Sequence, residues 1–192
     1  AFLFGCGEKQ SQAPEVAQQA KEPAKKVYKW KLAMTWPDNF PIFSDAVKNV
    51  AEKVKIMSNG ELLIDIDGAN KHKAALGILD MVNAGQYQMG HTAAYYWKGK
   101  VPSAVFFTAI PFGMNAQEMN GWMHYGGGLE VWQEAYAPSN VIPLAGGSTG
   151  VQMAGWFNRE INSVEDLQGL KMRIPGLAGD VFAQAGGTAV RI

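Results

Sequence analysis

The sequence predicts an α/β fold built on a mixed, mostly parallel sheet. Three features point to it. "VYKWKLAMT", "ELLIDID" and "YQMGHTA" have strand length and strand patterning; amphipathic stretches at helical spacing separate them; and Gly or Asn marks the junctions. Strand–helix–strand order requires a crossover over a sheet face, which makes the paired strands parallel.

Taken in order, residues 27–35 alternate as a first strand, and "WPDNFP" (36–41) is a loop with two prolines. Phe43, Val47, Val50, Val54 and Met57 recur at intervals of three and four, an amphipathic helix that Asn59-Gly60 stops. A second strand follows over 61–67, a second helix over 73–85 ending at Gly85, and a third strand over 87–93. Ligands bind such sheets at the carboxyl ends of the strands, and the loops there carry Trp36 and the run Tyr95-Tyr96-Trp97. Further on, 103–113 reads as an apolar strand ending in a Pro turn, and 115–137 as a helix interrupted at Gly126-Gly127-Gly128. "NVIPLAGGSTG" and "VQMAGWF" (140–157) read as strands with a glycine-rich break. Residues 163–170 form a capped turn, with Ser163 as cap and Asp166 at the third helical position. "KMRIP" (171–175) is a strand, a helix runs from about Gly179, and a last strand begins at Thr188.

Composition excludes several function classes. At 192 residues, 47% hydrophobic and 18% charged, the chain has globular character, enough for one large domain or two small lobes. Seventeen basic and seventeen acidic residues cancel, with no basic stripe for nucleic acid. Residues 1–26 are of another kind: "AFLFG" reads as the remnant of a signal peptide, Leu3-Phe4-Gly5-Cys6 resembles a bacterial lipobox, and the polar stretch after it reads as a flexible tether. Phe4 is bulkier than the usual occupant of its lipobox position. Cys6, the candidate lipidation site, is the single cysteine, so neither an internal disulfide nor a cysteine metal cluster can form.

Catalytic motifs fare poorly. Gly146-Gly147-Ser148-Thr149-Gly150 is a literal G-x-S-x-G, but an α/β serine hydrolase needs a histidine later in the chain and none follows His124. His72, His91 and His124 show no metal-ligand spacing. Asp65 and Asp67 share a strand face without a calcium loop around them, and Gly126 to Gly128 lacks the lysine of a phosphate loop. Arg173, inside an apolar strand, either pairs with Asp166 or Asp180 or awaits an anion.

From about Val27 to its end the chain resembles the solute-binding proteins of TRAP (tripartite ATP-independent periplasmic) transporters. "DLQGLKMRIPGLAGDVFAQAGGTAV" is similar to the family's signature region, and "MTWPDNFP", "MGHTAAYYW", "AIPFGM" and "GGSTGVQMAGWF" look most like the branch that binds 2-oxo acids. "GANKHKAALGI" departs from the pattern at the start of the second helix. The resemblance implies a periplasmic-binding-protein-like fold of two lobes closing by a hinge, with 27–150 as lobe I, 151–192 as the start of lobe II, and a second half beyond Ile192. It implies no catalysis and no cofactor. The ligand would be a small organic anion, a 2-oxo acid such as pyruvate, with lactate or another monocarboxylate as the alternative, bridged by Na+ or Ca2+. Partners would be the membrane subunits of the transporter and, through a later helix, a second copy. The location would be periplasmic or at the cell surface, with Cys6 as lipid anchor.

Site residues follow from the same match. Arg173 would grip the carboxylate, through two parallel bonds of roughly 1.5–3 kcal/mol each, a large share of the roughly 8 kcal/mol of micromolar binding. Tyr95, with Tyr96, would contact the carboxylate or 2-oxo group. Gln152 would face the ligand or the cation, Trp36 and Phe40 would form an apolar wall, and Ser148 or Thr149 would add a hydrogen bond. Trp122 and Trp156 are assigned to packing.

Overall fold

A computed structural model describes residues 25–190 of the chain. Within them the alternation of the first strand becomes a two-sided core. β1 (Tyr28–Met34) turns Ala33 to one face and Leu32 and Met34 to the other, and all three are buried. It lies between β2 (Leu62–Asp67) and β3 (Met89–His91), both parallel to it. The register runs from Tyr28 opposite Leu62 to Ala33 opposite Asp67, and from Leu32 opposite Met89 to Met34 opposite His91. The carboxyl ends of β1 and β3 therefore meet at Met34 and His91.

Helices cover both faces, as the strand order requires. α1 (Phe43–Met57) brings Val47 onto Leu32 and Met34. Its first turn is tied by Asp45, whose carboxylate accepts from the Ile42 amide at 3.3 Å. The second helix is shorter than its sequence suggests. The chain forms α2 (Ala69–His72), leaves it through Lys73 at φ 58°, and starts again as α3 (Ile78–Asn83). His72 holds that break, its Nε2 2.8 Å from the Met34 carbonyl and its Nδ1 accepting from the Ala74 amide at 3.1 Å. α3 approaches β3 closely at Gly90, where a Cβ would lie 2.4 Å from Ile78 Cγ2.

On the face that carries Ala33, the one α3 also covers, lies an aromatic layer. Residues 103–113, expected as a strand, contain none, and their first part lies in a 3-10 helix, Pro102–Phe107, that buries Ala104, Val105 and Phe107. Proline's fixed φ suits a first helical turn, and an apolar run alone does not distinguish the two periods. α4 (Ala116–Tyr125) and α5 (Gly128–Tyr136) are separated at Gly126-Gly127, with Gly127 at φ 81°. Asn115 and Glu118 form a reciprocal cap on α4, with bonds of 2.8–3.0 Å. Phe107 stacks between Trp122 and Trp132, and the Trp97 indole donates to the Tyr136 hydroxyl.

Residues 140–157, read as two strands, contain no strand. A strand persists only with a ladder partner, and no described segment pairs with these residues. Val141 packs against the core and Pro143 is buried, but Leu144, Val151, Met153 and Trp156 stay exposed, Trp156 at 89%. Regular structure resumes at a 3-10 turn, Glu165–Leu167, where Asp166 accepts from the Asn162 and Ser163 amides at 2.9 Å each. Those bonds hold its carboxyl below the ordinary range. β4 (Lys171–Arg173) pairs in parallel with β5 (Thr188–Val190) around α6 (Gly176–Gln184), which starts three residues earlier than the sequence suggests. The lipobox-like Cys6 and the tether through Ala24 lie outside the described residues.

Candidate functional site

The strand ends gather two sets of side chains. Trp36, just past β1, stacks on Phe43 of α1, ring centroids 4.1 Å apart and planes at 25°. Phe40 tilts against Phe43 at 5.7 Å, and His91, last residue of β3, tilts against Trp36 at 5.3 Å. Below them the Thr35 hydroxyl donates to the Thr92 hydroxyl at 2.7 Å, joining the two strand ends. The result is an aromatic wall rooted in the sheet. His91 is the half-buried polar member: its Nε2 is enclosed with no hydrogen-bond partner among the described residues, and burial lowers its pKa.

The second set stands on the 3-10 helix Ala94–Trp97 that follows β3. Tyr95 and Tyr96 pack edge to face at 4.8 Å. Arg173, at the carboxyl end of β4, donates from a terminal guanidinium nitrogen to the Tyr96 hydroxyl at 3.1 Å. Burial pushes the Tyr95 phenol up to about 12, Tyr96 adds to the rise, and the Arg173 charge opposes it. At neutral pH the Tyr95 phenol is therefore available as a donor to an anion.

The alternative partners proposed for Arg173 are engaged elsewhere. Asp180 forms its ion pair with Lys98, and Asp166 caps its own turn. Among the described residues no carboxylate lies within salt-bridge distance of Arg173, which is exposed. An uncommitted guanidinium beside two phenols is a carboxylate-binding arrangement in chemical terms.

The glycine-rich segment forms a third, looser group. Gln152 donates through Nε2 to Thr149 Oγ1 at 2.8 Å, and Ser148 Oγ accepts from the Gly150 amide at 3.1 Å. All three side chains are exposed. Gly146 lies beside the His91 ring, close enough that a Cβ there would be 3.4 Å from Cε1, so the root of this segment borders the aromatic wall. No hydrogen bond among the described residues joins Ser148, Thr149 or Gln152 to Arg173 or the tyrosines. The hydrolase geometry is missing: Ser148 bonds to no histidine and lies in no strand–turn–helix context. As cation ligands these residues supply one free amide oxygen on Gln152 and hydroxyls, and no cluster of three His, Cys, Asp or Glu exists among the described residues. Gln152 fits as one ligand of a cation whose further oxygens come from elsewhere.

Sequence reasoning missed Phe43, His91 and Lys98. The first two sit at element ends beside the loop already singled out, Phe43 as the first residue of α1 and His91 as the last of β3. Lys98 directly follows the aromatic run and carried no signal of its own.

Strand-end loops carrying aromatics, phenols and a free arginine are the arrangement of an α/β ligand-binding protein. Residues 32–192 match the model of DctP, the bacterial extracellular solute-binding protein family 7, and the chain belongs to that family. It is 46% identical over 158 residues to the monocarboxylate 2-oxoacid-binding periplasmic protein of Nostoc sp. (strain PCC 7120), covering 82% of this chain and 43% of that one. Two solved structures are similar at 59% identity and TM-score 0.85, each over 87% of this chain and 51% of its own. They are TRAP periplasmic solute-binding proteins, from Pseudoalteromonas atlantica T6c with bound sodium and pyruvate, and from Colwellia psychrerythraea with bound calcium and pyruvate. The chain spans about half the length of these relatives. The family resemblance and the parallel α/β architecture read from the sequence are thus borne out.

Proposed function

We propose that this chain belongs to the capture component of a TRAP transporter, an extracytoplasmic protein that takes up a small 2-oxo acid such as pyruvate and hands it to membrane subunits. The observation that carries the proposal is Arg173: an exposed guanidinium, free of carboxylate partners among the described residues, bonded to Tyr96 and adjacent to a neutral Tyr95. In a chain 59% identical to two pyruvate-bound proteins, this is the group expected to receive the carboxylate.

The roles follow from chemistry. Arg173 offers two parallel N–H donors, which fix the orientation of the carboxylate as well as its charge. Tyr95 and Tyr96 donate to the same group or to the 2-oxo oxygen. Trp36 and Phe40, backed by Phe43, exclude water and limit the length of the ligand's apolar end. Gln152, with Thr149 and Ser148 beside it, offers an oxygen to a Na+ or Ca2+ that bridges ligand and protein. Residues 27–150 and 151–190 would belong to different lobes, with the irregular segment after 140 as the connection. The family's extracytoplasmic setting agrees with this use, and no helix among the described residues is long and apolar enough to cross a membrane.

The test is calorimetric titration of pyruvate into the full-length protein, with and without sodium or calcium. Micromolar binding, about 8 kcal/mol, that requires a cation and disappears in Arg173→Ala supports the proposal. Binding that survives Arg173→Ala removes its central residue.

A further inference from the structure

The stretch that departs from the family's pattern, "GANKHKAALGI", finds its use in the folded chain. Each residue from Gly68 to His72 reaches the end of β1 or the loop that carries Trp36 and Phe40. Gly68 lies so close to that loop that a Cβ would be 2.3 Å from the Asp38 nitrogen. The Ala69 amide donates to the Trp36 carbonyl at 3.0 Å, and His72 Nε2 lies 2.8 Å from the Met34 carbonyl. Asn70 makes two bonds to one residue. Its Oδ1 accepts from the Asp38 amide at 3.2 Å, and its Nδ2 donates to the Asp38 carboxylate at 3.3 Å. Lys71 stands 3.7 Å from the same carboxylate. Every group in this bracket lies between residues 34 and 72, on the sheet side of the candidate site.

The loop held in this way is strained. Ile42, two residues after Phe40, sits at φ 67° and ψ −59°, and the Phe43 amide closes on the Pro41 carbonyl at 2.8 Å. That is a γ-turn of the positive-φ kind, rare for any residue and least comfortable for a β-branched one. Strained backbone persists where its surroundings over-determine it. Two bonds do so from α1: Asp45 accepts from the Ile42 amide at 3.3 Å, and the Ser44 hydroxyl donates to the Asp38 carbonyl. Asn70 supplies the hold from the opposite side, and the two sets meet on Asp38.

We propose that Asn70 is a positioning residue for ligand-size selection. By fixing Asp38 it keeps the strained loop in the arrangement that stacks Trp36 on Phe43 and stands Phe40 beside them. The aromatic wall then cannot retreat before a ligand with a longer apolar chain. Asn70 acts through those rings, without contact with the ligand. The proposal rests on the wall role given to Trp36 and Phe40 above. The paired bonds also fix which end of the amide faces which group. The same-shaped change Asn70→Asp would therefore set a carboxylate oxygen against the Asp38 carboxylate and turn the attraction into repulsion.

The experiment reads selection and loop separately. Calorimetry of the full-length protein with pyruvate and with 2-oxohexanoate, sodium or calcium present, gives the ratio of the two affinities. Fluorotryptophan labelling gives a fluorine NMR line for Trp36, assigned with Trp36→Phe and recorded without ligand. The parent should prefer pyruvate and show a narrow line. Asn70→Asp should lower the ratio about 3- to 10-fold, chiefly by a relative gain of the longer acid, and shift or broaden the line. Adding Asp38→Asn to Asn70→Asp sets a donor against an acceptor again and should restore both readings. Asn70→Ala removes the two bonds without repulsion; it should show the same change to a smaller degree, and it carries the test where Asn70→Asp does not fold. An unchanged ratio in the folded single variants overturns the selection, as does an equal loss for both acids or a change that Asp38→Asn does not reverse. An unmoved fluorine line overturns the hold on the loop. A parent that binds neither acid sinks the ligand assignment and the size selection with it, and the fluorine line alone then supports or overturns the hold.

Discussion

Trp36, Phe43 and His91 touch one another on the ends of β1, α1 and β3 and continue into the buried pair Leu32 and Met34, whereas Arg173 reaches Tyr96 from a unit attached through an irregular tether. One wall of the candidate site is part of the core, and the other is held by a few polar contacts. Elements that move or recognise are drawn from the low-stability end of a structure. The two walls should therefore fail in different ways when altered: the arginine side in affinity, the aromatic side in stability.

The largest effect belongs to Arg173→Ala. Removing two charge-assisted bonds of roughly 1.5–3 kcal/mol each should weaken pyruvate binding by a factor of about 100 or more. Stability should stay within about 0.5 kcal/mol, because the side chain is exposed and holds no ion pair with a described residue. Arg173→Lys should recover part of the charge and little of the bidentate geometry. Calorimetry and urea denaturation of the same samples give both numbers, and a large loss of stability would erase the contrast between the walls. The converse is Phe43→Ala, which opens a void beneath Trp36. It should cost about 2–3 kcal/mol of stability, below the full value for a buried phenylalanine since the ring is half-buried, with a smaller loss of affinity than Arg173→Ala.

Tyr95 belongs to the arginine wall yet is sheltered, and its ionisation measures that shelter. Its folded pKa is raised from 10.0 to about 12. Between those values the unfolded chain loses a proton that the folded one keeps, so the contribution is complete below pH 10 and is lost as pH rises toward 12. Absorbance titration should show a late phase to which the sheltered phenols of Tyr95 and Tyr136 contribute, and Tyr95→Phe should remove one phenol from that phase. If Tyr95 ionised with the exposed tyrosines, the closure of this wall around it would be wrong.

The same contrast explains what was legible in the sequence. Helix 43–57 and the three parallel strands were read within about a residue or two, because one face of each packs against the core and the period survives in the pattern. Residues 103–113 were misread, since a continuous apolar run carries no period and Pro102 just before it was the better signal. Residues 140–157 were misread for another reason: strand propensity expresses itself only through a partner. Arg173 stood out as an anomaly in an apolar strand, but its direction came from the family resemblance. Lys98 could not be found, because its meaning depends on a carboxylate 82 positions away that only the folded chain brings to it.

The smallest effect sharpens the aromatic wall from within. His91 is half-buried between Trp36, Phe43 and Gly146, with Nε2 enclosed and its pKa lowered by burial from the ordinary 6.5. A lowered histidine favours the neutral ring in the fold. The unfolded chain therefore takes up a proton first as pH falls, and the contribution, complete above about 6.5, is lost progressively as pH drops through the folded value. Urea midpoints of the full-length protein should decline over that acidic window, and His91→Gln should flatten this part of the profile, since a neutral amide keeps polarity without a titrating proton. The groups facing His91 from the packed elements are the rings of Trp36 and Phe43 and the backbone of Gly146, none of which titrates in that range. A slope unchanged in His91→Gln would assign the acid sensitivity to carboxylates instead, and the wall would then be held by its rings alone.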